Sequence, residues 1–495
     1  MSHHMIGLEV HVQMTETGTK LFCDCRSNYR GMEPNTNVCP VCLGLPGALP
    51  VPRRRPLVFA TALSMLMVCE TPPAMIFTRK HYFYPDLPKD YQITQYQGGG
   101  GAPVCLGGRA RYYDPDTDEW REVRIRRINV EEDPGRTEYE GSITSSEAAY
   151  VDYNRSGVPL VEVVTEPELR SPRDARRFVE YLLLMMEYIG ATNPRLEGAF
   201  RVDANISVRG GERVEVKNIG STVDLERAIK YELFRQEKLI SQGGAVERET
   251  RGWDPARRLT KPQRSKETEE EYLYFPEPDI PPISMKELVI EAAPLTLRDP
   301  AKYMDVITAR GIPRRQAWSI VLYRPALSLY LKSLDKGADP LLAARMIAVD
   351  LKGLLKKLNA DLYGASSWPS PDVIAGLTRL VRSGDYSYDE IKYNSLPKLA
   401  LNPSASLSDV LPPRSNNIED AVEVVIARER KAVSDFINGK PEALDYLVGS
   451  VLKMRRGYAV DPKLVRKVLL SRLTGAQDGH SNGGDGADST ANSRS

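Results

Sequence analysis

The sequence predicts an α+β protein: a mainly antiparallel sheet domain, then an all-α domain, then a small helical tail. Three observations lead to this fold class. Residues 1–293 contain many short runs in which apolar and polar residues alternate, separated by Gly and Pro. Residues 294–410 change to helical periodicity, and residues 411–476 resume it after a segment rich in Pro, Ser and Asn. The last segment, 477–495, has almost nothing to bury and is predicted to be disordered.

The opening stretch "IGLEVHVQ" predicts a strand with two different faces. Alternation sends its apolar side chains to one face and its polar side chains to the other, namely Leu8, Val10 and Val12 against Glu9, His11 and Gln13. The first face is that of an ordinary core strand. The second face places the acid Glu9 beside the imidazole of His11. The role of this pair depends on which polar residues the neighbouring strands contribute.

Four further strand-like runs repeat this arrangement: "INVEEDPG", "VEVV", "RVDANISV" and "VEVKN". Their polar positions hold mostly acids, with one Asn and one Lys: these residues are Glu131, Glu132, Glu162, Asp203, Asn205, Glu215 and Lys217. The default interpretation of any single strand of this kind is a solvated sheet face. Several together favour a shared polar floor, because short acids, Asn and His ligate hard divalent cations. Mg²⁺ typically takes one or two carboxylates together with substrate phosphates, so such a floor suits a nucleotide bound through its metal.

Two helices are predicted within the sheet domain. One begins at the N-cap residue Ser171, with Pro172 at its first position, and ends before Gly190. The other spans about Val223 to Ile240. No G-x-x-x-x-G-K-[ST] motif is present, and the glycine-rich stretch "QGGGGAP" is predicted to be a flexible loop. A phosphate-binding site would therefore have to be built from residues of the sheet.

Two close cysteine pairs predict a structural zinc site. With 13 residues between them, the pairs are Cys23 with Cys25 and Cys39 with Cys42. Four thiolates on two turns form the closed tetrahedral set that structural Zn²⁺ takes, with no position left open for catalysis. The other two cysteines, Cys69 and Cys105, are predicted to be buried and unreactive.

The overall charge excludes a protein whose whole surface binds nucleic acid, because 67 Lys and Arg nearly balance 66 Asp and Glu. A local basic segment lies near the end of the chain, where residues 451–475 hold seven basic residues against one acid, Asp461. The basic residues are Lys453, Arg455, Arg456, Lys463, Arg466, Lys467 and Arg472. This segment is predicted to contact a phosphate backbone, with a solvated helix face as the alternative.

No stretch of the sequence approaches the roughly 18 consecutive apolar residues of a membrane span. The start of the chain also lacks a charged segment followed by an apolar one. The sequence therefore predicts a cytoplasmic protein without membrane contact. His3 and His4 precede the first strand and are assigned no role.

Long motifs in this chain resemble the B subunits of the aspartyl/glutamyl-tRNA amidotransferases, the GatB family. They run in the family's order as "IGLEVHVQ", "EPNTNVCPVCLGLPGALP", "RKHYFYPDLPKDYQITQY", "VDYNRSGVPLVEVVTEPELRSP", "FRVDANISV", "VEVKNIGS", "ETRGWD" and "YLYFPEPDIPP". The tail module "DFINGKPEALDYLVGSVLKMRRGYAVDPKLVRKVL" is similar to the family's tail, so only the predicted disordered end is not covered. The chain departs from the family at Asn129, where His is frequent, and lacks the large insertion of the paralogous E subunits.

The resemblance implies both a fold and a reaction. Residues 1–293 are expected to form a catalytic cradle domain similar to glutamine synthetase. Members of the family act on tRNA that carries Asp or Glu in place of Asn or Gln. ATP phosphorylates the side-chain carboxylate, and ammonia then displaces the phosphate, which makes the enzyme a carbon–nitrogen ligase with glutamine as amido donor. Mg²⁺ is expected to neutralise phosphate charge and align the in-line transfer.

On this interpretation the polar floor is the catalytic site. The predicted catalytic residues, of which the first four are predicted ligands of Mg²⁺, are Glu9, His11, Glu131, Glu132, Asp203 and Lys217. The residues predicted to bind the cofactor are Glu162, Asn205, Glu215 and, as a weaker candidate, Lys89. For Lys217, an ion pair with Glu215 or another acid of the floor is the alternative to screening the transferred phosphoryl group.

The chain is not predicted to release ammonia from glutamine by itself. With four of the six cysteines assigned to zinc, only His81 remains free to pair with Cys69 or Cys105, and no motif supports that pair. The resemblance implies an amidase A subunit and a small C subunit as partners in a heterotrimer. It also implies misacylated tRNA as the macromolecular substrate.

Two alternatives stay open at the level of sequence. A zinc-containing protein that binds or modifies RNA without phosphoryl transfer requires aromatic side chains beside basic ones, and "RKHYFYPD" is the one such cluster. A non-catalytic scaffold requires only a solvated acidic face. Within the favoured interpretation, the sequence leaves open the choice between Asp-tRNA and Glu-tRNA and the number of catalytic metals.

Overall fold

The structure is a computed structural model that describes residues 4–141, 146–263, 272–412, 418–454 and 460–475. The chain divides into two compact units, Met1–Val306 and Ile307–Ser495. The first unit combines a large sheet with helices, and the second is helical, so the α+β class is confirmed. The predicted boundaries at 293, 410 and 476 stay a prediction, and the predicted disordered end lies outside the described residues.

The strands of the first unit are β1 Met5–Gln13, β2 Ala74–Met75, β3 Thr78–His81, β4 Tyr91–Thr94, β5 Cys105–Asp114, β6 Glu119–Glu132, β7 Arg136–Tyr139, β8 Ala149–Asp152, β9 Pro159–Thr165, β10 Phe200–Ser207, β11 Val214–Ile219, β12 Glu249–Asp254, β13 Leu259–Pro262, β14 Leu273–Pro276 and β15 Ile283–Ser284. Among the described residues, eight of them form one sheet in the order β13-β12-β11-β10-β1-β9-β6-β5. Neighbouring strands are antiparallel except for β11 and β12, which are parallel.

The first strand occupies the middle of this sheet and has the two faces that its sequence predicts. Ile6, Leu8, Val10 and Val12 are at most 1% exposed, whereas Glu9 and His11 are half-buried on the other face. Helices α2 (Pro172–Tyr188) and α3 (Thr222–Ser241) pack against the sheet and cover its apolar face. The polar face is thereby left available for a site.

Both helices predicted in this domain are confirmed. Ser171 accepts a hydrogen bond from the backbone N–H of Asp174 and caps α2, and Ser221 caps α3 in the same way through Asp224. A third helix, α1 (Arg54–Leu66), was not predicted. Almost all of its residues from Pro56 to Ser64 are buried, so its sequence lacks the polar stripe that marks an amphipathic helix.

The remaining helices are α4 Met285–Ala292, α5 Pro300–Thr308, α6 Arg314–Val321, α7 Arg324–Asp335, α8 Pro340–Arg345, α9 Lys352–Lys357, α10 Pro371–Arg382, α11 Tyr388–Glu390, α12 Leu396–Leu401, α13 Leu407–Val410, α14 Ile418–Arg428, α15 Arg430–Ile437, α16 Glu442–Met454 and α17 Pro462–Gly475. The π-helical segments Met346–Leu351 and Ile391–Ser395 continue α8 into α9 and α11 into α12. The stretch predicted to be a flexible loop contains a 3₁₀ turn, Gln97–Gly99, which ends at Gly100 with φ +81°.

A small sheet of β14, β3 and β4 forms a second layer beside the site. Lys80 on β3 is paired with Tyr274 on one side and Gln92 on the other, so these three side chains share one face. Thr94 lies two residues beyond Gln92 on that same face and donates a hydrogen bond to Glu131 of the large sheet. This face of the small sheet is therefore directed toward the polar floor.

The helices after residue 417 have a hydrophobic core of their own. Val422, Leu447, Val465 and Leu469 are completely buried in it, and side chains from α14, α16 and α17 contribute. The helical periodicity predicted for this tail is confirmed. Among the helices that the structure describes, none combines the length and apolar character needed to cross a membrane.

One cysteine prediction, that for Cys69 and Cys105, is confirmed only in part, since Cys105 is 0% exposed and neither residue is a free thiol, but the bond between them was not predicted. Cys69, which follows α1, is bonded to Cys105 at the start of β5 in a disulfide, and its side chain is partly exposed. No sequence pattern indicated the pair because 36 residues separate its members, and it is the packing of α1 against β5 that brings them together. Cys69 and Cys105 are therefore not available as free thiols.

Candidate functional site

Strand pairing brings most of the predicted site residues onto one polar face. Glu9 lies directly opposite Asp203, and His11 lies between Glu162 on β9 and Arg201 on β10. Asn205 is paired with Glu215 of β11 in the same way. Because paired residues of antiparallel strands share a face, five adjacent strands contribute to a single floor.

The first group on this floor consists of His11, Glu131 and Glu162. The imidazole Nε2 lies 3.6 Å from a carboxylate oxygen of Glu131 and 3.7 Å from one of Glu162. These separations are too long for hydrogen bonds. Adjacent ligands of one octahedral Mg²⁺ at about 2.1 Å are about 3.0 Å apart, so these side chains would have to move closer by about half an ångström to share an ion.

The protonation states of this group also suit a cation. Burial, followed by the Arg201 guanidinium, holds the pKa of His11 well below its usual range, so the ring is neutral. Its Nδ1 is buried without a hydrogen-bond partner among the described residues. Burial and then the Glu131 carboxylate raise the pKa of Glu162 to about 7. A neutral imidazole can ligate a divalent cation, and the charge of the cation would offset the repulsion between the two close carboxylates.

The second group consists of Glu9, Asp203 and Glu215, whose nearest carboxylate oxygens all lie within 4.8 Å of one another. Burial, followed by the neighbouring carboxylates, raises the pKa of Glu9 to about 7, and burial also raises that of Asp203. The Nδ2 of Asn205 donates a hydrogen bond of 3.2 Å to Glu9. Glu9 and His11 are two residues apart on β1, which places the two groups about 7 Å from each other.

Lys217 is the cation of this second group. Its Nζ lies 2.9 Å from Glu215 and 3.6 Å from Asp203, so the ion pair considered from sequence is present. Burial lowers the pKa of Lys217, but Asp203 and Glu215 more than offset this and raise it overall. Three carboxylates share one ammonium here, which leaves an excess of negative charge for a bound cation.

Glu132 and Lys89 are not brought into either group. Alternation along β6 turns Glu132 away from Glu131, and its carboxylate forms an ion pair with Lys89 and accepts a 2.9 Å hydrogen bond from the backbone N–H of Ile93. The side chains of Glu132 and Lys89 are 5% and 7% exposed. In this arrangement Glu132 and Lys89 join the large sheet to the small one. The roles predicted for them, metal binding by Glu132 and cofactor binding by Lys89, stay predictions.

Several residues that sequence reasoning did not assign surround the floor. A cavity of about 270 Å³ lies beside His11 and includes Arg155 and Arg201 among its lining residues. The buried Asp133 accepts hydrogen bonds from Arg201 (3.0 Å) and from Gln13 (2.5 Å). Alternation marks Gln13 and Arg201 as members of the polar faces of β1 and β10, but nothing in the sequence placed Arg155 beside them.

Lys80 is a further unassigned cation. Its Nζ lies 4.6 Å from the ring centre of Tyr272 and 5.6 Å from that of Tyr82. Its charge partly offsets the burial that raises the pKa values of Glu131 and Glu162. The "RKHYFYPD" cluster thus contributes a cation and an aromatic side chain to the rim of the floor.

The four cysteines of the predicted zinc site come together. Cys23, Cys25, Cys39 and Cys42 are free thiols whose sulfurs all lie within 4.8 Å of one another, and the Cys39 and Cys42 sulfurs are 3.8 Å apart. Sulfurs bound tetrahedrally to one zinc at about 2.3 Å are separated by about 3.8 Å, so the set fits. A hydrogen bond from Cys23, together with nearby Lys20, lowers the pKa of Cys42 to about 4. We refer to these residues as the four-cysteine cluster.

Comparison with known proteins matches almost the whole chain. Residues 4–291 match the GatB/GatE catalytic domain, and residues 328–473 match the GatB domain. A protein of Aeropyrum pernix, named as the B subunit of aspartyl/glutamyl-tRNA(Asn/Gln) amidotransferase, is 57% identical over 470 residues, which cover 95% of this chain and 97% of that protein. Proteins of the same name from Sulfurisphaera tokodaii and Carboxydothermus hydrogenoformans are 40% and 36% identical, each over at least 94% of this chain and 98% of the relative.

Proposed function

This chain belongs to the family of aspartyl/glutamyl-tRNA(Asn/Gln) amidotransferase B subunits, and from that premise we propose that it activates and amidates the amino acid of a misacylated tRNA. ATP transfers its γ-phosphoryl group to the side-chain carboxylate of Asp on tRNA(Asn) or Glu on tRNA(Gln), and ADP leaves. Ammonia then attacks the acyl carbon, the carbon–oxygen bond to phosphate breaks, and the amide and inorganic phosphate are released.

The single observation that carries this proposal is the pair of acidic groups on one face of the sheet. Glu9, Asp203 and Glu215 have carboxylate oxygens within 4.8 Å of one another. His11 lies 3.6 Å from Glu131 and 3.7 Å from Glu162, and the pKa values of Glu9 and Glu162 are raised, which a bound cation would relieve. His11, Glu131 and Glu162 would hold one ion, and Glu9, Asp203 and Glu215 a second. Mg²⁺ supplies neutralisation of phosphate charge and alignment of the attacking and leaving oxygens.

The chain's own cations are suited to the anions of the reaction. Lys217 lies at the edge of the second acidic group, where its ammonium can face a transferring phosphoryl group. Arg155 and Arg201 line the cavity beside His11, where their guanidinium groups can hold the substrate carboxylate. A carboxylate held there would lie beside the floor on which the phosphoryl donor is proposed to bind.

The four-cysteine cluster is proposed to bind one structural Zn²⁺. Four thiolates would complete the tetrahedral set of one zinc, which would then have no open position for substrate. The zinc would stabilise the loop from Phe22 to Leu43 without entering the reaction.

The remaining parts of the reaction are proposed to come from partners and from the tail. Among the described residues, no thiol pairs with a histidine as a glutaminase nucleophile requires, because the free cysteines all belong to the four-cysteine cluster. An amidase A subunit and a small C subunit would supply ammonia.

In the tail, Lys453, Lys463 and Lys467 are exposed and can contact tRNA phosphates, whereas Arg455 and Arg456 lie outside the described residues.

The experiment is ADP formation by the complex assembled from this chain and its amidase and small subunits. With both Asp-tRNA(Asn) and Glu-tRNA(Gln) as test substrates, we expect ADP to form only when a misacylated tRNA and Mg²⁺ are present together. Correctly charged Asn-tRNA(Asn) is the matched control. ADP formation that ignores the charging state, or tRNA binding with no ADP at all, would refute the proposal and favour an RNA-binding protein without phosphoryl transfer.

A further inference from the structure

Lys20 is a lysine whose entire side chain is inside the protein, with 0% exposure. An ammonium in such a place is costly unless hydrogen bonds and an opposite charge meet it. Its Nζ donates to the backbone carbonyl oxygens of Asn37 at 2.8 Å and Tyr153 at 3.4 Å, and to the sulfur of Cys42 at 3.5 Å. Within the described part of the chain it forms no ion pair with a carboxylate, and the Cys42 sulfur is its one side-chain acceptor.

The acceptors of Lys20 belong to two separate segments, the loop of the four-cysteine cluster and the segment Tyr153–Gly157. Several hydrogen bonds join these segments directly, including the following three. Asn37 N–H donates to Asn154 Oδ1 at 2.7 Å, Leu21 N–H to Gly157 O at 2.8 Å, and Ser156 Oγ to Cys42 O at 3.3 Å.

Gly157 lies where the segment contacts the cluster. Its φ of +85° lies in the region that favours glycine, and a Cβ added there would be 3.5 Å from the Cβ of Cys42 and from the Cδ of Lys20. The segment therefore rests on the cysteine loop, with Lys20 inside the contact.

The same segment forms a wall of the cavity beside His11. Arg155 lines that cavity and donates hydrogen bonds to the carbonyl oxygens of Pro134 and Gly135 at 2.9 and 2.6 Å. The N–H of Gly157 donates to the carbonyl oxygen of Asp133 at 2.9 Å, and the Asp133 carboxylate holds Arg201. A continuous set of contacts thus runs from Cys42 through Lys20 to both arginines of the cavity.

We propose that Lys20 is a positioning residue that couples the four-cysteine cluster to the cavity, so that zinc bound by the cysteines holds Arg155 and Arg201 in place beside His11. One zinc with four thiolates carries a net charge of about −2, and the buried ammonium offsets half of it while tying Tyr153 to the cluster. The role of the cavity in substrate binding rests on the function proposed above. The coupling itself rests on the contacts of Lys20 and on the hydrogen bonds that join the cysteine loop to Tyr153–Gly157.

The test uses the full chain and compares Lys20→Met with Lys238→Met, which changes an exposed lysine at the end of α3. Two quantities are measured: the rate at which zinc passes to a chelator, and the hydrogen exchange of the amides of residues 153–158. We expect Lys20→Met to lose zinc at least about tenfold faster and to exchange faster at 153–158, with no change in the strand Glu249–Asp254. The Lys238→Met variant should behave as the wild type.

A second arm needs no variant and applies even where Lys20→Met does not fold. Wild-type chain stripped of zinc is expected to exchange faster at 153–158, and zinc added back should restore the protection. Unchanged exchange after stripping, a chain that binds no zinc, or a Lys20→Met variant with wild-type zinc release would each overturn the coupling. Neither arm uses ATP or tRNA, so these results stand apart from the success or failure of the proposed reaction.

Discussion

At the scale of single residues, His11 has the properties of a metal ligand rather than of an acid or base. Its low pKa keeps the ring neutral, and one ring nitrogen is within 3.7 Å of two carboxylates. A proton relay would instead need a pKa close to the working pH. The neutral ring is thus consistent with coordination, in which the nitrogen lone pair faces the ion.

We expect Glu9→Gln and His11→Ala each to reduce Mg²⁺- and tRNA-dependent ADP formation by on the order of 100-fold or more, because each removes a ligand from the floor. The fold should persist, since both side chains lie on the polar face rather than in the core. Steady-state ADP release and thermal melting check the two parts. Glu166→Gln, which changes an acid that pairs with Arg126 outside the floor, is the control and should keep its activity. Full activity of either site variant with an unchanged Mg²⁺ dependence would refute the ligand assignment.

Without divalent cations, we expect the chain to become less stable as the pH rises from about 4.5 to about 7. The pKa values of Glu9 and Glu162 are near 7 in the folded chain against an ordinary 4.5, so over this range the folded state holds protons that the unfolded state has released. The free energy of unfolding therefore falls through that window and levels off above it.

Mg²⁺ competes with those protons, so it should raise the melting temperature more at pH 8 than at pH 5.5. Thermal melts with chelator or with Mg²⁺ at both pH values measure this. The double variant Glu9→Gln with Glu162→Gln should lose most of the pH dependence and most of the Mg²⁺ effect. An unaltered pH profile in the double variant would assign the effect to other groups.

Most of these residues could be placed from sequence because a strand has a strict period of two. Glu9, His11, Glu162 and Asp203 follow from alternation alone once their strands are adjacent. The same rule separates Glu131 from Glu132, and the prediction that treated them as a pair did not apply it. Arg155 could not be predicted, because its position depends on how a loop folds back onto the cysteines.

At the scale of elements, the cysteine loop is the part of the fold that the proposed zinc would support most directly. Metal analysis of protein purified with a reductant should give about one zinc per chain. Cys39→Ser should lose the zinc and lower the melting temperature, because the folding energy of such a loop comes largely from the metal. The double variant Cys69→Ser with Cys105→Ser removes the other cysteines and should keep its zinc. A folded, reduced wild-type chain without zinc would show that the cluster is vestigial.

The strands and the two capped helices could be predicted because their signals are local. Alternation, an N-cap Ser and Pro at the first helical position act within a few residues. Helix α1 and the Cys69–Cys105 bond depend on what surrounds them, since α1 is buried on nearly all sides and the bond joins residues distant in sequence. Helix α1 and this disulfide can therefore be recognised only from the tertiary structure.

At the scale of the whole molecule, the tail is expected to hold tRNA while the sheet domain carries out the chemistry. A chain ending at residue 410 should bind tRNA about tenfold more weakly at fixed salt and bind ATP as before, because the exposed lysines are lost and the floor is not. Filter binding and nucleotide titration measure the two affinities.

Charge reversal separates the loss of lysines from the loss of the fold. In the full chain, Lys463→Glu with Lys467→Glu should weaken tRNA binding in the same direction and reduce its salt dependence. The same changes at the exposed Lys230 and Lys238 should have little effect. Equal tRNA affinity with and without the tail would contradict this division.

We expect the purified chain alone to release no glutamate from glutamine, because its free thiols all belong to the four-cysteine cluster. The complex with an amidase and a small subunit should use glutamine, and ammonium should replace glutamine when the amidase nucleophile is disabled. Glutamate release by the single chain, compared with the complex, is the measurement. Substantial release by the chain alone would refute the need for a partner.

The alternation of apolar and polar residues in β1 also affects how accurately this strand pairs with its neighbours during folding. If β1 paired with its neighbours one residue out of register, Glu9 and His11 would enter the apolar core while Leu8 and Val10 would face the floor. Burying an unpaired acid costs several kcal/mol, so a slipped chain is penalised by the same residues that are proposed to bind the metals. A slipped register of β1 is therefore disfavoured. In a stably folded molecule the proposed metal ligands Glu9 and His11 lie on the polar face of the sheet.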